Sequence, residues 1–134
     1  MRGRRSPWLV VALLLGCLGA APGSAEDLPM PEAWSTHYAW FLVANAEYAP
    51  QSEDKERAIT AAHIQYQLRL QADGRAIAAG GLGTGPGESI IGLTILRAES
   101  LAAAQALADA DPAVEAGRLV AWVREWWVPA EQLP

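Results

Sequence analysis

Two rhythms of apolar positions alternate along the chain. From His37 to Ala44 the run His-Tyr-Ala-Trp-Phe-Leu-Val-Ala is almost unbroken, rich in aromatic and branched residues. That is the pattern of a buried strand, with Tyr38, Trp40 and Leu42 on one face and Ala39, Phe41 and Val43 on the other. Tyr48-Ala-Pro-Gln51 reads as a loop, and the period then changes. Ser52 stands at an N-cap position, and Glu53, Asp54 and Glu56 place negative charge where a helix dipole favours it. The helix is expected to run to about Ala72 and stop at Asp73-Gly74, where glycine accepts the left-handed conformation. It carries two apolar stripes, Ile59-Ala62-Tyr66-Leu70 and Ala61-Ile64-Leu68-Ala72. One stripe suffices to pack a helix on a sheet, so the second predicts another covered surface, such as a partner chain.

The rest of the chain continues the alternation. Arg75–Ala79 is a short strand, the glycine-dense stretch Gly80–Gly87 a loop, and Ser89–Leu96 a third strand, together a hairpin. Ser100 caps a second helix from Leu101 to about Ala108, and Asp111-Pro112 ends it, because the residue before proline leaves the α region. One helical turn over Ala113–Gly117 and a last strand, Leu119–Val128, follow. The order β-α-β-β-α-β predicts an α+β, ferredoxin-like fold, an antiparallel sheet with two helices on one face. The uncovered face is expected to carry some of Trp40, Trp122 and Trp126, too apolar to leave wet. Two copies packed sheet to sheet would cover it.

The chain has 134 residues, a formal charge of −5 and 51% hydrophobic residues, which suits one folded domain and excludes a disordered acidic tail. Scattered arginines in an acidic chain exclude a nucleic-acid surface. Residues 1–25 read as a secretory signal: Arg2, Arg4 and Arg5, then apolar Trp8–Leu18, then small Gly23 and Ala25 before a cut. The apolar run falls short of the ~20 residues that span a bilayer. The alternative is lipoprotein processing at Leu14-Leu15-Gly16-Cys17, the one route to a membrane anchor. Cleavage after Ala25 leaves 109 residues, seven basic against fifteen acidic side chains, a charge of −8 and no cysteine. The expected location is outside the cytoplasm, in a bacterial periplasm. The remainder divides into a lead-in (26–36), a domain (37–128) and a tail (129–134).

Candidate chemistry is sparse. His63 lies on the first stripe of the long helix, as a structural side chain or as a general base. Asp111 fits a turn cap before Pro112, and equally a carboxylate that orients such a base. Asp109 is expected to face solvent, and His37 to be a strand-edge residue. Two histidines without cysteine form no metal pattern, and no cofactor motif is present. The glycine cluster matches no phosphate-loop register and no helix follows it. Trp122 and Trp126 share a strand face and Trp127 takes the other, as core, interface or pocket lining.

Ala62-His63-Ile-Gln-Tyr-Gln-Leu followed by Asp73-Gly74-Arg75-Ala-Ile-Ala-Ala-Gly80 resembles the YCII-related (YciI-like) family, in which a helix with a histidine leads into a Gly-Arg turn. Ala104-Gln-Ala-Leu-Ala-Asp109-Ala-Asp111-Pro112-Ala-Val114-Glu-Ala-Gly117 resembles it more closely, and the resemblance spans residues 37–128. It implies a dimeric α/β barrel, a homodimer of ferredoxin-like protomers. It also implies a small enzyme acting on a cyclic metabolite through a His–Asp pair, here His63 and Asp111. The second reading is a non-catalytic module that binds a small ligand or a protein. Two features depart from the family: the export signal, and a glycine-rich stretch after Gly80 where many members have Ala-Gly-Pro.

Overall fold

The computed structural model describes residues 27–134; the expected signal segment, its cut after Ala25 and the alternative site at Cys17 lie outside the described residues. Strand β1 (Trp34–Ala44) is followed by helix α1 (Glu53–Ala72), strands β2 (Ala76–Gly81) and β3 (Ile90–Leu96), helix α2 (Leu101–Asp109), the single turn α3 (Pro112–Glu115) and strand β4 (Leu119–Pro129). The strands form one antiparallel sheet in the order β2-β3-β1-β4. This is the ferredoxin-like arrangement, in which each helix crosses over an intervening strand.

The core lies between the sheet and the helices. Tyr38, Trp40 and Leu42 of β1 cluster with Leu96 of β3, Leu119 and Val123 of β4, Leu70 of α1, and Ala104 and Ala108 of α2. Burying each large apolar side chain contributes about 1.5–3 kcal/mol. The alanines at 104 and 108 are completely buried and lack bulk, so α2 lies flush on β4 and β1. Trp40 is also fully buried, and its indole N–H finds no partner among the described residues.

Backbone caps fix the helix ends. Gly74 takes φ +72°, its N–H bonds to the Gln71 carbonyl, and the Arg75 N–H reaches the Leu70 carbonyl. Gly117, at φ +74°, repeats the pattern after α3, with bonds to Val114 and from Arg118 to Ala113. Glycine suits both positions, because a Cβ is strained at positive φ. The Ser100 hydroxyl accepts from the Ala103 N–H, as expected of an N-cap. Ser52 holds the extended cap conformation, but its side chain makes no cap bond. The carboxylate of Glu56 instead reaches back to the Gln51 N–H and the Tyr48 hydroxyl. These two donors, with Arg118 nearby, hold its pKa below the ordinary value.

Several expectations change. The first strand begins at Trp34 rather than His37, because β4 pairs with β1 along its whole length, from Trp34 opposite Pro129 to Ala44 opposite Leu119. Trp40 faces the helices, not the open side of the sheet, so the tryptophans on the open side are Trp122 and Trp126. His37 lies on an inner strand opposite Trp126, not at a sheet edge. Gly80 and Gly81 belong to β2, paired with Leu93 and Gly92. The pairing of β1 with β3 shifts register between Leu42, opposite Gly92, and Val43, opposite Ile90, and the skipped Ile91 packs against the core.

Candidate active site

His63 and Gln67 stand one turn apart on α1, so their side chains project from the same face. Asp111 is the N-cap of α3, with φ −69° and ψ 129°, and Pro112 follows at a position where its missing N–H costs nothing. One carboxylate oxygen, Oδ1, accepts from the Ala113 N–H at 2.8 Å. The other, Oδ2, lies 2.8 Å from His63 Nδ1 and accepts from Gln67 Nε2 at 3.4 Å. The Gln67 amide oxygen in turn accepts from the Thr94 hydroxyl of β3 at 3.0 Å. A polar chain thus runs from the sheet through α1 to the cap of α3. The two sequence readings of Asp111, cap and histidine partner, hold together, one oxygen serving each.

Burial gives this chain its importance. Asp111 and Thr94 have no exposure, Gln67 has 7%, and the His63 side chain has 20%. A buried carboxylate is tolerated only when donors surround it, and each described partner of Asp111 is a donor. The bond assigns the His63 tautomer: Nδ1–H donates to Asp111, which leaves the lone pair on Nε2. The negative charge of Asp111 also reaches Tyr66, whose pKa is raised first by burial and second by that charge. The Tyr66 hydroxyl donates to the Leu107 carbonyl at 2.7 Å and ties α1 to α2.

His63 forms part of the wall of a cavity of about 280 Å³ between α1 and the β2–β3 side of the sheet. The wall is mostly apolar: Leu42, Ile64, Leu68, Ile91 and Leu119 surround the polar positions Thr60, His63, Gln67, Thr94 and Arg118. Ile64 and Leu68 belong to the second stripe of α1, half exposed in the single chain and turned toward this cavity. Gly92 keeps the floor low. A Cβ there would stand 3.1 Å from the Gly80 carbonyl oxygen and 3.3 Å from a Leu42 methyl group. Gly80 and Gly81 line the cavity too; among the described residues no tryptophan does, so Trp122, Trp126 and Trp127 are not its lining. Asp109 is exposed, as expected, and bonds Gln105.

Reading the sequence singles out His63 and Asp111, and the fold brings the two together across 48 positions of chain. Gln67, Thr94, Thr60 and Arg118 escape that reading. Gln67 has a signal in its spacing from His63, and Thr94 in being a polar residue within an apolar strand. Among the described residues no group of three His, Cys, Asp or Glu side chains is placed to hold a metal ion.

The model of the YCII-related domain family matches residues 40–126. No curated protein matches the chain. It is similar to a solved structure, 5-chloro-2-hydroxyhydroquinone dehydrochlorinase from Burkholderia phenoliruptrix AC1100 in complex with 2,5-dihydroxybenzoquinone. That likeness has 24% identity and a TM-score of 0.48, over 67% of this chain and 92% of the other.

Truncating Asp111→Ala strands the Ala113 N–H, the Gln67 amide and the His63 ring, and is expected to cost about 2–4 kcal/mol. Asp111→Asn retains an oxygen for the cap and should cost clearly less. Urea unfolding at neutral pH measures both, and an alanine variant as stable as the parent contradicts the arrangement.

Proposed function

The chain belongs to the YCII-related domain family, and from that premise we propose that it is a small enzyme moving a proton on a cyclic metabolite. His63 Nε2 is the base, and Asp111 is the positioning residue behind it. The reading rests on the 2.8 Å contact of His63 Nδ1 with the buried Asp111 carboxylate at the wall of an otherwise mostly apolar cavity. Nε2 takes a proton from a carbon made acidic by a neighbouring carbonyl, and Asp111 stabilises the imidazolium that forms. In an isomerisation the proton returns to a different atom as the double bond shifts. In an elimination the electron pair left behind expels an anion, and His63 gives the proton to solvent. Either course leaves the histidine neutral for the next turnover.

The apolar wall also favours a second reading, a module that binds a small ring without changing it. Deuterium exchange separates the two. Incubated in D₂O with a panel of cyclic enones and unsaturated lactones, the protein is expected to place deuterium at the acidic carbon of at least one compound. His63→Gln should slow that exchange by about 10²–10⁴-fold. A compound that binds but never exchanges, or exchange that survives His63→Gln, sinks the enzyme reading.

We also propose that the protein is a homodimer joined through the open face of its sheet. Phe41, Trp122 and Trp126 share that face, and the two indoles are 45% and 39% exposed. An apolar surface of that kind on a sheet face without helices marks an interaction site. Light scattering at micromolar concentration should give twice the chain mass, and Trp122→Glu should return the monomer. A parent protein that stays monomeric contradicts the dimer.

A further inference from the structure

The cavity wall carries a cation. The chain as a whole has a net charge of −5, yet among the described residues no carboxylate lines the cavity, and the ionisable residues that do are His63 and Arg118. Arg118 is held there by the fold. It follows Gly117, the left-handed residue that closes α3, and its N–H bonds to the Ala113 carbonyl at 3.0 Å. Asp111 and Arg118 therefore flank the same short helix. One sets the catalytic histidine and the other extends its guanidinium across α1.

That guanidinium is anchored on one side. Nη1 donates to the Thr60 hydroxyl at 2.6 Å and to the Glu56 carbonyl oxygen at 3.4 Å. The contacts of Arg118 with α1 all run through Nη1, and the residue lines the cavity beside His63. Glu56 is the nearest counter-charge, at 3.8 Å, beyond direct hydrogen-bond distance, and its other oxygen is occupied by Tyr48 and Gln51. Thr60 lies three positions before His63 on α1, so the anchored cation and the base are neighbours along one helix face. A planar, permanently charged guanidinium lining a mostly apolar cavity suits an oxyanion.

We propose that Arg118 is the specificity-determining residue of this cavity and recognises an anionic oxygen. The substrate is then a single, largely apolar ring that carries one carboxylate or an equally acidic hydroxyl. The inference rests on the cavity being the substrate site and adds the class of compound it takes. Charge neutralisation by Arg118 would also favour proton removal by His63, since the enolate that forms gains a second negative charge beside a cation.

Benzoate and its neutral isostere benzamide test it, titrated into the purified protein and followed by amide chemical shifts. Benzoate is expected to bind at least about tenfold more tightly than benzamide. Arg118→Gln should remove that preference, and Arg118→Lys should keep most of it. The lysine variant also guards against a fold lost with the glutamine. Equal binding of the two probes, a preference that survives Arg118→Gln, or no binding of either at millimolar concentration overturns the proposal. Those results leave the exchange chemistry of His63 to stand or fall on its own assay. Loss of that chemistry, conversely, leaves the anion preference in place.

Discussion

A carboxylate with no exposure to water organises this molecule. Asp111 can remain buried because three donors converge on it: the backbone of α3, the amide of Gln67 and the ring of His63. Each donor comes at a structural cost elsewhere. The backbone donor requires a helix to begin at Pro112, and the two side-chain donors require α1 to present one polar face toward that helix start. Gln67 must then satisfy its own carbonyl, which it does on Thr94 of the sheet. Buried polar chains of this kind are stabilising only when complete, so the position of α1 over the sheet, the cap of α3 and the orientation of His63 are fixed together.

The two long elements packed on the sheet differ for that reason. Helix α2 meets β4 and β1 through the fully buried alanines Ala104 and Ala108. Helix α1 meets the sheet through Leu70 near its end and through the Gln67–Thr94 pair, with the glycines of β2 and Gly92 of β3 opposite. Small residues below and a polar bridge above leave the cavity between them. The catalytic candidate is therefore a consequence of how α1 is held, and His63 needs no loop to position it. The arginine that closes the other side arrives by the same route, through the glycine turn that ends α3.

The fold was legible because it is written in local rules. Alternation in β1, the acidic first turn of α1, Gly74 and Ser100 each act within a few residues, and each placed its element within a few positions of the structure. The pair His63 and Asp111 was legible as two residue types that suit the chemistry, and the resemblance to a family joined them. What stayed hidden depends on contacts between distant segments. Both faces of β1 are apolar, so nothing local tells that Trp40 lies under the helices while Trp122 and Trp126 do not. Glu56 displaced Ser52 as the anchor of α1 because Tyr48 and Gln51 folded back beneath it. Arg118 reads as one of several scattered arginines until Thr60 and the cavity are seen beside it.

Asp111 fixes His63 with its proton on Nδ1 and its lone pair on Nε2, at the wall of the cavity. Nitrogen-15 NMR of the imidazole rings, at a pH where His63 is neutral, reads this directly. A single tautomer is expected for His63, protonated at Nδ1, and it is expected to be lost in Asp111→Ala. A His63 ring protonated at Nε2, as free histidine prefers, or one indifferent to the removal of Asp111, would contradict it.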